Sequence, residues 1–146
     1  MSTEDAGMQA KTRRAVETRW LYRAEGVALS ANKFANTQRD MAYLNRLALR
    51  IWNAEAPGRK FPSIAAGKGV RHGNQLLSFC LGYSEIVLAR GQRNVLVLLH
   101  ELTHALGPCT HGKKFVRTHF YLLQKYARFS WALLQGVAAE RGIVLD

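Results

Sequence analysis

Residues 95–108 read VLVLLHELTHALGP and predict a buried helix that ends at a glycine-proline pair. The first five residues are apolar on every side, which is typical of a helix inside a core. Asn94 can cap the start of this helix, and the Gly-Pro pair stops it because proline cannot continue the hydrogen-bond ladder. His100 and His104 lie four residues apart, so they project from one face of the helix, one turn apart.

The pentapeptide HELTH at 100–104 is a metal-binding pattern. Two imidazoles one turn apart can bind a single Zn²⁺, and Glu101 beside the first can reach a water held by the metal. This spacing therefore predicts a zinc site in which His100 and His104 are ligands and Glu101 is the catalytic base.

A third ligand is expected after the helix, because a catalytic zinc commonly takes three protein ligands. We assign His111, since the Gly-Pro break lets the chain turn back toward His104. Cys109 is an alternative, because a thiolate also binds zinc. His119 lies at helical spacing among apolar residues, which favours a hydrogen-bonded position in the core over metal ligation.

The string HELTHALGPCTHGKKF, residues 100–115, resembles the SprT-like branch of the zincin metallopeptidases. Members carry HExxH, a loop of variable length, and a His-Gly-x-x-Phe element that opens the next helix. The matching positions are His100, Glu101, His104, His111, Gly112 and Phe115. The string is also similar to short metallohydrolases of actinobacteria and phages. The resemblance, over residues 82–126, implies a minimal zincin domain that hydrolyses peptide bonds in a protein or peptide substrate.

The rest of the chain predicts an α+β fold with one small mixed sheet of three to four strands packed on the metal-binding helix. Helices are predicted at 37–54, 111–129 and 130–141, and strands at 61–65, 75–81 and 84–90. Thr37 and Asp40 resemble a capping box at the start of the first helix. Residues 1–10 are predicted to be a disordered tail and 11–146 a single domain.

The strand before the HExxH helix commonly forms the lip of the cleft in zincins and pairs with an extended substrate. The resemblance implies that role for residues 83–88. A second group that stabilises the oxyanion is also normal, and four residues are candidates: Tyr83, His72, Tyr121 and Arg117. Tyr83 is the first choice because it lies beside the lip strand.

The net charge is +11, from 21 Lys and Arg against 10 Asp and Glu, which favours a polyanionic partner. A basic stripe recurs at helical spacing after the metal site: Lys114, Arg117, Tyr121, Lys125 and Arg128. A second cluster lies near the N-terminus: Lys11, Arg13, Arg14, Arg19 and Arg23. Such stripes bind nucleic acid without sequence preference, although many are only solvated helix faces.

No apolar run is long enough to span a membrane, and residues 1–10 are mostly polar without a hydrophobic signal region after them. Two cysteines do not make a disulfide framework. We therefore expect a cytoplasmic protein without a membrane partner, and the oligomeric state is left open. Three functions are considered: a peptidase acting on DNA-associated proteins, a zinc peptidase or amidase with no nucleic-acid link, and a non-catalytic basic binding module with structural zinc.

Overall fold

The computed structural model describes residues 29–108 and 110–145. Five helices lie in this part of the chain: α1 (Lys33–Asn36), α2 (Met41–Glu55), α3 (Val95–Leu106), α4 (Lys113–Tyr126) and α5 (Trp131–Ala139). Five strands lie between α2 and α3: β1 (Ser63–Gly67), β2 (Val70–His72), β3 (Gln75–Leu77), β4 (Phe79–Leu81) and β5 (Glu85–Ala89). The α+β class with a small mixed sheet is confirmed. The predicted tail and the start of the predicted domain lie outside the described residues.

Helix α2 begins four residues later than predicted, because Asp40 caps it. The Asp40 carboxylate accepts a hydrogen bond from the Tyr43 backbone N–H at 2.7 Å. Thr37 instead follows α1, where its hydroxyl donates to the Lys33 carbonyl. The predicted capping box is wrong, since residues 37–40 end one helix and start the next.

None of the described helices has the length and apolar composition needed to cross a bilayer.

Strand β5 is the centre of a three-stranded sheet with the order β1-β5-β4. β1 runs parallel to β5, with Gly67 beside Ala89, and β4 runs antiparallel to β5, with Phe79 beside Val87. Both edges of β5 are therefore paired, and the lip role predicted for residues 83–88 is wrong. Within the described residues, β4 is the edge strand on the side of the cleft described below.

The predicted strand 75–81 is two strands, because Ser78 leaves the ladder between them. The Ser78 backbone N–H and hydroxyl both donate to the Gln92 side-chain oxygen, at 2.7 and 2.8 Å. The Ser78 hydroxyl oxygen also accepts from the Ala89 backbone N–H at 2.8 Å. These bonds fix the start of β4 at the end of β5, while β3 turns away and pairs with β2.

Helix α3 is the buried element that carries the pentapeptide HELTH. Leu98, Leu99 and Leu102 are fully buried against the sheet and the neighbouring helices. Full burial of one such side chain stabilises the fold by roughly 2 kcal/mol. Because α3 is packed on several sides, its two histidines are held in fixed positions.

Asn94→Ala is expected to lower the free energy of unfolding by about 1 kcal/mol. The Asn94 side chain accepts a hydrogen bond from the Val97 backbone N–H at 2.9 Å and so satisfies one orphan donor of α3. Urea titration followed by circular dichroism measures this loss. Asn94→Asp retains the acceptor and serves as the control. Equal stability of the parent and the alanine variant would contradict the capping role.

Candidate metal centre

Three imidazoles from two segments converge at the end of α3. The His111 Nε2 atom lies 3.0 Å from the Nε2 of His100 and 3.1 Å from the Nε2 of His104. Candidate ligand atoms of the three residues all lie within 4.8 Å of one another. This group can hold a metal ion, as the sequence predicts.

The spacing of these nitrogens fits the coordination sphere of one ion. With bonds of about 2.1 Å, two ligand atoms are about 3.0 Å apart at octahedral angles and about 3.4 Å apart at tetrahedral angles. Two Nε2 atoms that each carried a proton would repel at such distances. The donor set therefore suits a shared cation better than three independent histidines.

A backbone carbonyl orients His104. The Nδ1 atom of His104 lies 2.8 Å from the carbonyl oxygen of Pro108. Because a carbonyl only accepts, Nδ1 carries the proton and a neutral imidazole presents the lone pair of Nε2 toward His111. Gly107 makes this contact reachable, since its φ of 156° and ψ of −47° bend the chain back over the last turn of α3.

Phe115 is the packing platform of the site. The centroid of its ring lies 4.8 Å from the ring centroid of His100, 4.7 Å from that of His104 and 4.8 Å from that of His111. The Phe115 side chain is fully buried. His119 is also fully buried, with its ring 5.3 Å from that of His100, and it does not belong to the convergent group. The burial predicted for His119 is confirmed.

Glu101 places a buried carboxylate beside the three imidazoles. It is only 3% exposed, and burial raises the pKa of Glu101 to about 8. Its Oε2 atom has no hydrogen-bond partner. A divalent cation on the neighbouring imidazoles would favour the ionised form and oppose this effect of burial.

Glu101, His104 and His111 line one cleft of about 400 Å³. The other walls come from the β4 segment and the turn after it: Ser78, Phe79, Cys80, Gly82 and Tyr83. The metal group and the edge strand of the sheet therefore face the same space.

Tyr83 alone among the four candidate oxyanion donors lines this cleft, and it is 51% exposed. His72 is exposed in β2. The Arg117 Nε donates to the Val144 carbonyl at 3.1 Å, and the Tyr121 hydroxyl lies 3.2 Å from a Glu55 carboxylate oxygen. The last three therefore lie outside the lining of the cleft.

The basic stripe on α4 is partly engaged in contacts within the protein. Lys125 forms an ion pair with Glu55 at 2.9 Å, and this same Glu55 oxygen accepts from Tyr121. The Arg128 guanidinium lies 4.2 Å from the Phe34 ring centroid. Lys114 and Arg117 are exposed. The N-terminal basic cluster, residues 11–23, lies outside the described residues.

Cys80 is a cleft residue that the sequence does not single out. Its thiol lies 3.3 Å from the Gly82 carbonyl. Burial, followed by the nearby negative charge of Glu101, raises the pKa of Cys80 to about 11, so the thiol stays protonated near neutral pH. The only sequence signal was a cysteine upstream of the motif. Cys109, the alternative ligand, lies outside the described residues.

No protein family, no curated protein and no solved structure matches this chain. The likeness to SprT-like zincins consequently rests on the quoted residues alone.

Glu101→Gln is expected to stabilise the metal-free protein increasingly as pH rises. Because burial raises the pKa of Glu101 from 4.5 to about 8, the folded state keeps a proton between these values that the unfolded state releases. The parent therefore loses stability across this window, by up to about 1.4 kcal/mol per pH unit, and the glutamine variant does not.

Urea unfolding of both chelator-treated proteins at about pH 5 and about pH 8 measures this difference. The stability gap between variant and parent should widen toward the higher pH. A gap that is the same at both pH values would show that Glu101 is not held in an uncharged state by burial.

Proposed function

We propose that this protein is a zinc-dependent hydrolase of peptide bonds. The observation that carries the proposal is the convergence of His100, His104 and His111 beside the buried carboxylate of Glu101, in a cleft whose wall is a sheet edge. A site that only braces a fold has no need for an unpaired carboxylate oxygen on a residue that lines the same cleft. This difference favours catalysis over the alternative of a binding module with structural zinc.

Zinc is the proposed metal because of the donor chemistry. Three neutral imidazoles suit Zn²⁺, whereas Mg²⁺, Ca²⁺ and Mn²⁺ prefer carboxylate and carbonyl oxygen. Three protein ligands also leave a position open for substrate, as in known catalytic zinc sites.

His100, His104 and His111 would hold the zinc ion, which would supply the Lewis acidity that polarises a scissile carbonyl and makes water nucleophilic near neutral pH. Glu101 accepts the proton of the attacking water and then delivers it to the leaving amine. Burial raises the pKa of Glu101 and a cation on the imidazoles would lower it, so the two opposing effects suit a carboxyl that must both accept and release a proton near neutral pH.

Tyr83 is the proposed second donor to the oxyanion. It sits in the turn between β4 and β5 and lines the cleft with Glu101. Its hydroxyl donates a hydrogen bond to the negative charge that develops on the carbonyl oxygen during attack.

Strand β4 is the proposed docking edge for an extended peptide substrate. Phe79 and Cys80 lie in the wall of the cleft, and β4 pairs on only one side within the described residues. A peptide added to this edge gains main-chain hydrogen bonds without requiring particular side chains. This mode fits a peptidase with broad sequence tolerance.

Glu101→Gln is expected to lower peptide hydrolysis by about 100-fold or more while retaining the metal, because the amide cannot accept the proton. Glu85→Gln, a matched change of an exposed carboxylate on β5, is the control and should behave like the parent. Mass spectrometry of a peptide library measures hydrolysis, and elemental analysis measures zinc. Parent-like turnover of Glu101→Gln would overturn the mechanism.

Tyr83→Phe is expected to reduce kcat by about 10-fold or more, with KM and zinc content nearly unchanged. The loss should appear in kcat because the donated hydrogen bond strengthens only as the oxyanion forms. Tyr121→Phe removes a hydroxyl outside the cleft and is the matched control. Equal kcat in both variants would remove Tyr83 from the mechanism.

A further inference from the structure

The β2–β3 hairpin is a thin exposed ribbon. Every residue from 70 to 76 is exposed, including Val70 at 57% and Leu76 at 39%. Its two strands pair with each other in a separate sheet. A two-stranded hairpin is only marginally stable in water by itself, so an exposed apolar ribbon of this kind suits a surface that is covered by a partner.

The base of the hairpin is fixed to the main sheet at Gly69. A Cβ atom added to Gly69 would lie 2.3 Å from the Leu77 carbonyl oxygen and 2.9 Å from the Ala89 side chain. Gly69 also has a φ of 76°, which glycine adopts at no steric cost. The start of the hairpin is therefore held in close contact with Leu77 of β3 and Ala89 of β5.

Positive charge surrounds this base. Because Gly67 pairs with Ala89 in parallel register, the next residues, Lys68 and Arg90, leave neighbouring strand ends, and Arg71 follows in β2. No Asp or Glu occurs between residues 56 and 84. None of the three cations forms an ion pair with a carboxylate of the described residues.

The net positive charge of the described residues opposes association between two copies of the chain. These residues include 16 Lys and Arg against 5 Asp and Glu, so they carry all of the net charge of +11. Among these five acids, Glu101 is buried and Glu55 is paired with Lys125. This imbalance favours a polyanion as the partner that covers the ribbon.

The tip of the ribbon carries side chains that can read base edges. Its sequence is Arg71-His72-Gly73-Asn74-Gln75, with a two-residue turn between the paired His72 and Gln75. Arg pairs with the major-groove edge of guanine, and Asn and Gln pair with that of adenine. Three residues per strand span about 10 Å, close to the depth of about 8.5 Å of the B-form major groove, which admits a two-stranded ribbon.

We propose that the β2–β3 hairpin inserts into the major groove of double-stranded DNA, with Lys68 and Arg90 on the flanking phosphates. Duplex RNA is a poor fit, because the major groove of A-form helices is too narrow for side chains to read.

Fluorescence anisotropy with a fluorescein-labelled DNA duplex of mixed sequence tests the proposal, with salt varied between about 50 and about 200 mM. The triple variant Lys68→Ala, Arg71→Ala, Arg90→Ala should bind at least about 10-fold more weakly, and its salt dependence should fall by up to about 0.9 per lost phosphate contact.

The matched control removes the same charge from exposed positions on α1 and α2: Lys33→Ala, Arg46→Ala and Arg50→Ala. It should change the affinity by less than about 3-fold. An equal loss in both variants, or parent-like binding of the hairpin variant, would overturn the proposal. So would equal affinity for an RNA duplex of the same sequence.

Methylation of the DNA by dimethyl sulfate tests whether the protein occupies the major groove. The experiment uses the parent protein, so it does not depend on how any variant folds. Guanine N7 faces the major groove, and saturating protein should protect it. Binding without such protection would overturn the insertion. Glu101→Gln should bind DNA like the parent, so a failure of peptide hydrolysis and a failure of DNA binding are distinguished.

Discussion

The close approach of three imidazole nitrogens is the constraint on which the site depends. His111 Nε2 lies 3.0 Å from His100 Nε2 and 3.1 Å from His104 Nε2, and because a proton on His111 Nε2 can point at only one of these neighbours, the other lone pair is repelled unless a positive charge lies nearby. The fold holds the three nitrogens there through the buried helix α3, the Phe115 ring beneath all three rings, and the Pro108 carbonyl on His104. Packing energy from the core thus opposes electrostatic repulsion at the site, and a bound cation turns that repulsion into attraction.

The burial of Glu101 is a second energetically unfavourable feature of the candidate metal centre. A carboxylate without a partner for one oxygen is costly in a core, and its raised pKa reflects that cost. Strained or unpaired polar groups of this kind concentrate at functional sites, where a ligand compensates for them. The histidine group and the buried Glu101 therefore both favour a nearby positive charge, which is the physical basis for proposing a divalent cation there.

Local pattern was enough to predict helix α3 and the shared face of its two histidines, because positions four apart on a helix share a face whatever surrounds them. His111 was predictable for a related reason, since the Gly-Pro pair forces a turn just before it. Strand order was not predictable, because pairing depends on contacts between distant residues. That is why the sequence prediction gave the lip role to β5, whose two edges are both paired, and why it did not include the Ser78 bonds to Gln92 and Ala89, which divide one predicted strand into two.

The net charge of the protein was predictable from the sequence, but the contacts and positions of individual basic side chains were not. The α4 stripe was the visible periodic signal, yet Glu55, far away in sequence, holds Tyr121 and Lys125. Lys68 and Arg90, by contrast, are far apart in sequence, and the parallel register of β1 and β5 places them at neighbouring strand ends.

The most direct test of the central claim is X-ray absorption spectroscopy at the zinc edge on protein loaded with one equivalent of Zn²⁺. We expect one tightly bound ion per chain with about three imidazole nitrogens at roughly 2.0–2.1 Å and no sulfur ligand. A chain that fails to retain stoichiometric metal, or a shell containing sulfur at about 2.3 Å, would contradict the three-histidine centre.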